Sequence, residues 1–222
     1  MEKIKDALKK RPVFSTVILF LIYIVAFFWE QKLDLKPVIW IHHPLDDVIP
    51  FCKYMLLPYC MWHIEFGLVL AYLYFIKKDM NEYWRTLTTI LVGLWASLLV
   101  FLFLPNGINL RPAVVEGNDI FAIGTRFLYS IDDNKNVCPS IHVVGCVIMN
   151  YSWMRSIENK KGRNALSFMN FMIIISTVFM KQHSCVDVVI GFLFGYAADA
   201  LVTYYYTRER VPNYEYASKL LR

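Results

Sequence analysis

Apolar residues along this chain run in long blocks, with polar and basic residues gathered between them. Six blocks fall at about 14–29, 55–76, 87–104, 141–156, 167–181 and 185–206. A helix that crosses the bilayer core needs about 20 mostly apolar residues, so each block reads as a spanning helix, several near the lower length limit. Pro58 interrupts the start of the second. No second domain, internal repeat or low-complexity tract breaks the pattern, so the expectation is one all-α, polytopic membrane domain over 1–222 with six transmembrane helices. The mixed stretch 30–54, with Trp40, His42, His43, Asp46 and Asp47, is expected to lie along the interface. The basic run Met1–Pro12 precedes the first block without a small-x-small cleavage site after it; Ala26 leads into Phe27, Phe28, Trp29 and Glu30. The first block therefore reads as an uncleaved span, not a signal peptide.

Composition agrees with the pattern. Of 222 residues, 57% are hydrophobic and 18% charged, against about 45–50% apolar and about 25% charged in soluble domains. Six spans divide the 23 Lys and Arg unevenly, 16 on the side of the two termini and 7 on the other. The positive-inside rule then makes both termini cytoplasmic. These patches explain the net charge of +5. No basic stripe follows a single element, so a nucleic-acid partner is not expected. Five cysteines, an odd number, argue against a full disulfide framework; whether Cys138 and Cys185 pair cannot be read from spacing.

Ionisable residues at span ends need a reason, and three groups fall on the extracytoplasmic side. Arg111-Pro112 follows the third span, and an arginine there can grip a phosphate with two parallel hydrogen bonds. Cys138-Pro139-Ser140-Ile141-His142 opens the fourth, where free backbone N–H groups at a helix start favour an anion. Lys181-Gln182-His183-Ser184-Cys185-Val186-Asp187 opens the sixth. His183 and Asp187 are four apart and share a face if the helix already runs there; Asp187 then fixes the imidazole tautomer and leaves the other nitrogen free to attack. Each group alone reads more simply as a solvated turn, an interfacial histidine or a structural His–Asp pair. Together they supply anion grips, a proton donor, a nucleophile and its orienting acid.

In this combination the chain resembles the type 2 phosphatidic acid phosphatase superfamily, whose active site is similar to that of vanadium haloperoxidases. The family pattern is Lys-x6-Arg-Pro, Pro-Ser-x-His and Ser-Arg-x5-His-x3-Asp. Here Pro139, Ser140 and His142 keep the second motif, Ser176, His183 and Asp187 keep the third, and Arg111-Pro112 keeps the end of the first. Leu104 stands where the family has lysine, and Thr177 where it has arginine. The Lys-Gln-His form and the upstream Leu45-Asp46-Asp47-Val48-Ile49-Pro50-Phe51 look more like the branch that includes the inositol phosphorylceramide synthases. The resemblance implies a catalytic core formed by the last four spans, with motifs within 105–190. It implies His183 as nucleophile through a phosphohistidine, Asp187 as its orienting acid and His142 as general acid and base. Arg111, Ser140 and Lys181 would hold the phosphate, with no metal or other cofactor. The implied substrate is a membrane lipid phosphate, pyrophosphate or phosphodiester at the outer headgroup level. Water as acceptor makes a phosphatase and is preferred because it needs no second site; an alcohol makes a phosphotransferase. An inactive lipid-binding relative and a transporter with a proton relay are the other classes, the latter disfavoured because the ionisable groups cluster at one face.

Several other groups read more simply. His42, His43, Asp46 and Asp47 match no standard zinc spacing and read as a polar interfacial loop. Asp132-Asp133-Asn134 lacks the glycine and distal glutamate of a calcium loop and reads as a solvated turn. Trp62, Trp84, Trp95 and Tyr204 to Tyr206 read as belt and packing residues. Gly93 and Ser97, four apart, are expected to permit close helix contact.

Overall fold

The computed structural model describes residues 10–208. The basic residues at 1–9 and at 210–222, counted above on the cytoplasmic side, lie outside that range. Among the described residues eight α-helices follow in order: α1 (Pro12–Lys32), α2 (Pro44–Val48), α3 (Leu56–Ala71), α4 (Met80–Phe103), α5 (Ile120–Ile131), α6 (Ile141–Ser156), α7 (Lys160–Phe179) and α8 (Cys185–Arg208). A 3-10 turn precedes α3 and a π turn continues it, so the helical run extends over Lys53–Lys77. Among the described residues four helices, namely α1, α3 with its flanking turns, α4 and α8, are long and apolar enough to cross a membrane. The two shorter blocks fold as helices too. Yet α6 has 16 residues, about 24 Å, and α7 opens with Lys160, Lys161 and Arg163.

Local chemistry sets the helix starts. Asp79, Asp119, Ser140 and Asn159 sit at the N-caps of α4, α5, α6 and α7 and accept hydrogen bonds from the first-turn amides. Lys78, at φ 54 in the left-handed region, closes the helical run after α3.

Most of α6 is buried, and it packs against α4, α7 and α8. Small residues allow the approach. A Cβ on Gly93 would lie 2.7 Å from Val144 Cγ1, and one on Gly195 would lie 2.9 Å from the Val144 carbonyl. Ser97, by contrast, turns its hydroxyl back onto the Gly93 carbonyl at 2.9 Å. Buried polar contacts add specific ties. Thr86 Oγ1 and Ser152 Oγ lie 2.7 Å apart between α4 and α6. Glu65 of α3 accepts from Trp153 Nε1 of α6 at 2.9 Å and from Asn170 Nδ2 of α7 at 2.7 Å. At the far end from the motifs, Arg155 donates from Nε to Glu82 at 2.9 Å and from Nη1 to both Asp199 oxygens at 3.0 Å.

The motif end is closed by the loops. Strand β1 (Ile39–Trp40) pairs in parallel with β2 (Asn106–Gly107). Helix α1 stands at the periphery, packed mainly on α4, with Val17, Leu21, Val25 and Phe28 exposed. The amphipathic α5 was not foreseen as a helix; its polar and apolar residues are too few to stand out in a chain this apolar.

Candidate active site

The second and third motifs meet because α6 and α8 begin side by side. A Cβ at Gly191 would lie 2.9 Å from the Ser140 carbonyl, so glycine is what lets α8 approach the start of α6. The Ser140 amide then donates to the Asp187 carbonyl at 3.3 Å. Ser140 is fully buried, and its hydroxyl accepts from the Val143 amide at 3.4 Å. Its hydroxyl is thus engaged as a helix cap.

His183 precedes α8, so the shared helix face expected for His183 and Asp187 does not form in that way. A tight turn does the work instead. The amides of Gln182 and His183 both donate to the Thr177 carbonyl at 3.0 and 3.2 Å, and Lys181 takes a left-handed φ of 54. Asp187 reaches back to accept from the Ser184 amide at 2.8 Å. The turn brings His183 Nδ1 to 3.6 Å from Asp187 Oδ2, an electrostatic contact longer than a hydrogen bond. Asp187 is fully buried, and its Oδ1 has no partner among the described residues.

His142 lies beside His183, ring centroids 5.7 Å apart and planes at 60°. Tyr59 and Trp62 of α3 each stack on the His142 ring at 4.4 Å. Among the described residues both ring nitrogens of His142 lack a hydrogen-bond partner, although the residue is only 6% exposed. A buried polar group costs free energy unless satisfied, so an unsatisfied imidazole in this position calls for a ligand or a proton-transfer role. Trp62, expected as a belt or packing residue, is buried in the core and also packs on the His142 ring.

Arg111 and Lys181 are close by but largely engaged. Arg111 Nη1 donates to the carbonyls of Tyr129 and Asp132, and Nη2 to the Asp133 carbonyl and Gln182 Oε1. The guanidinium also lies 4.5 Å from the Tyr129 ring centroid. Its Nε is buried without a hydrogen-bond partner among the described residues. Lys181 Nζ donates to the carbonyls of Asp46 at 2.6 Å and Ile49 at 2.5 Å, leaving one of the three ammonium donors. Leu104 and Thr177 take structural roles. Leu104 is the C-cap of α4, and Thr177 is fully buried with its hydroxyl on the Ile174 carbonyl.

Asp46 is the main residue that motif reasoning passed over. It is 1% exposed. Its oxygens accept from Ser184 Oγ at 2.6 Å, the Cys185 amide at 2.8 Å and the His43 amide at 2.9 Å. Burial would raise its pKa, but these bonds outweigh that and hold the carboxyl below its usual range. The group read as a polar loop therefore splits. His42 pairs with Asp47 in the open at 2.8 Å, His43 caps α2, and Asp46 turns inward to hold the start of α8. The sequence signal for Asp46 was its place in a Pro-x-Asp helix start with a buried partner far along the chain, which spacing does not show.

Asn106 acts similarly on the second motif. It donates to the Cys138 carbonyl at 2.8 Å and accepts from the Val137 and Cys138 amides at 2.9 and 2.8 Å. Cys138 and Cys185 are both free thiols; burial, then the Asp187 charge, pushes Cys138 up to about 12. Asp132, expected in a solvated turn, instead lines a cavity with His63 and His142. Burial raises its carboxyl pKa, opposed by the Arg111 guanidinium. No family model, curated protein or solved structure matches this chain, so function is read from the motifs and this geometry.

Proposed function

We propose that this chain is an integral membrane phosphatase of the type 2 phosphatidic acid phosphatase kind, acting on a lipid phosphate or pyrophosphate. The observation that carries the reading is the unpartnered, buried His142 beside a His183 that faces Asp187. In this reading six helices cross the membrane, α1, α3, α4, α6, α7 and α8, with both termini cytoplasmic and the motif end outside.

His183 attacks phosphorus with Nε2 while Nδ1 keeps its proton toward Asp187, whose charge stabilises the imidazolium as it forms. His142 protonates the leaving lipid oxygen. The phosphohistidine then reacts with water, from which His142 takes a proton, and inorganic phosphate leaves. Arg111 Nε and the third Lys181 donor are the cationic groups left to meet the phosphoryl oxygens, together with the first amides of α6. Transfer to an alcohol in place of water uses the same steps.

A second reading has its own observation. Arg111 and Lys181 spend most of their donors on protein acceptors, which favours a relative that binds lipid without turning it over. Phosphate release by the purified protein, in chelator and across a panel of lipid phosphates, separates the two. Release that disappears in His183→Ala supports the phosphatase. No release from folded protein, with or without added alcohols, supports the binder.

A further inference from the structure

A cavity of about 660 Å3 runs from the site down between α1 and α3. Its polar end holds His142, His63 and Asp132; the rest is almost wholly apolar, ending at Val13 and Phe75. From α3 and the π turn that continues it, the cavity takes a single stripe, His63, Phe66, Gly67, Leu70, Ala71 and Tyr74, the spacing of one helix face. From His63 to Phe75 that stripe is about 18 Å long, close to the ~15 Å half-thickness of a bilayer core. The far polar pair is already satisfied, since Thr16 Oγ1 and Tyr83 hydroxyl bond each other at 2.6 Å. Val17, Phe28, Gly67 and Phe75 are exposed although they line it, so the cavity opens sideways as a groove. It is narrow. Phe20 of α1 and Phe66 of α3 still meet edge to face at 5.8 Å, which excludes another helix of about 10 Å diameter.

We infer that this groove holds one hydrocarbon chain of the lipid whose phosphate faces His142. The inference rests on the proposed headgroup chemistry for the lipid's orientation. Gly67 is the telling position. A Cβ added there meets nothing within 4 Å, so nothing in the helix packing requires glycine, and the open space belongs to the groove. Ala71 lies one turn deeper, about 6 Å further from His142.

The test uses full-length protein in detergent with single-chain glycerol phosphates of graded chain length. Turnover is measured, and native mass spectrometry counts bound lipid. Gly67→Leu is expected to cut turnover of long-chain substrate roughly tenfold or more and spare the shortest chain. Ala71→Phe should move the cut-off to longer chains. His183→Ala should still bind the long chain, and Gly67→Leu combined with it should not. If Gly67→Leu does not fold, Ala71→Phe and, from the opposite wall, Val17→Trp carry the same comparison. Chain-length profiles and binding that ignore all plugs overturn the groove. Plug-sensitive binding without any turnover keeps the groove and removes the phosphatase reading; brisk, plug-insensitive turnover does the reverse.

Discussion

Two polar clusters lie at opposite ends of α6, and they are built differently. At one end Glu82, Arg155 and Asp199 form a set closed around Arg155, which meets carboxylates on both sides; Arg85 Nε lies 3.1 Å from Glu82, while its Nη2 has no hydrogen-bond partner among the described residues. At the other end, among the described residues, both His142 nitrogens and Asp187 Oδ1 have no hydrogen-bond partner, and His183 Nδ1 stands 3.6 Å from its acid. The closed cluster has the form of a fastening. The open one keeps buried hydrogen-bonding capacity unspent, at a cost in stability, which is how sites for chemistry are kept ready.

The comparison can be broken or sharpened by substitution. The largest effect is expected from His183→Ala, a loss of turnover of roughly 10^4-fold or more with the melting temperature held or raised. His142→Ala should cost about 10^2–10^4-fold and leave lipid binding in place. A melting temperature that collapses in either variant would mean that the open cluster is a fastening too. Asp46→Ala should cost about 3 kcal/mol of stability, since the Ser184, Cys185 and His43 donors lose their acceptor. Because the Asp46 carboxyl is depressed in the fold, its contribution is present above the unfolded carboxylate range and is lost as pH falls through the lower, folded value. A pH titration of stability, wild type against Asp46→Asn, should therefore converge in acid and diverge toward neutrality. Asp199→Asn should cost about 1–3 kcal/mol while turnover per folded molecule stays unchanged. The smallest effect is expected from Asp132→Asn. Burial raises the Asp132 pKa, so the charged form opposes folding as pH rises past the usual carboxylate range. Removing the charge should raise the melting temperature by a few degrees at neutral pH, and a lower one would show that the carboxylate is held favourably.

Much of this was legible in the chain. The six apolar blocks all fold as helices, four of them long and apolar enough among the described residues to cross a membrane. Pro139, Ser140 and His142 read as a helix start because a cap and its first turn are contiguous. What stayed hidden depends on contacts between distant positions. Asp46 reaches Ser184 and Cys185 across most of the chain, and Asn106 reaches Val137 and Cys138. The spacing of His183 and Asp187 pointed to a pair, on a shared helix face only if the helix already ran at His183, and the helix begins at Cys185. The Thr177 carbonyl and the Ser184 amide shape a turn instead. Likewise, Trp62 looked like any interfacial tryptophan until the fold set it on His142.

The phosphorylated intermediate is the most direct point of attack. Purified protein mixed briefly with a lipid phosphate labelled at phosphorus, in chelator, should be quenched and its label tested for acid and alkali stability. The mechanism requires an acid-labile, alkali-stable label on the wild type, lost in His183→Ala and carried on the peptide that contains His183. Turnover in wild type with no such label, or a label that persists in His183→Ala, would contradict it.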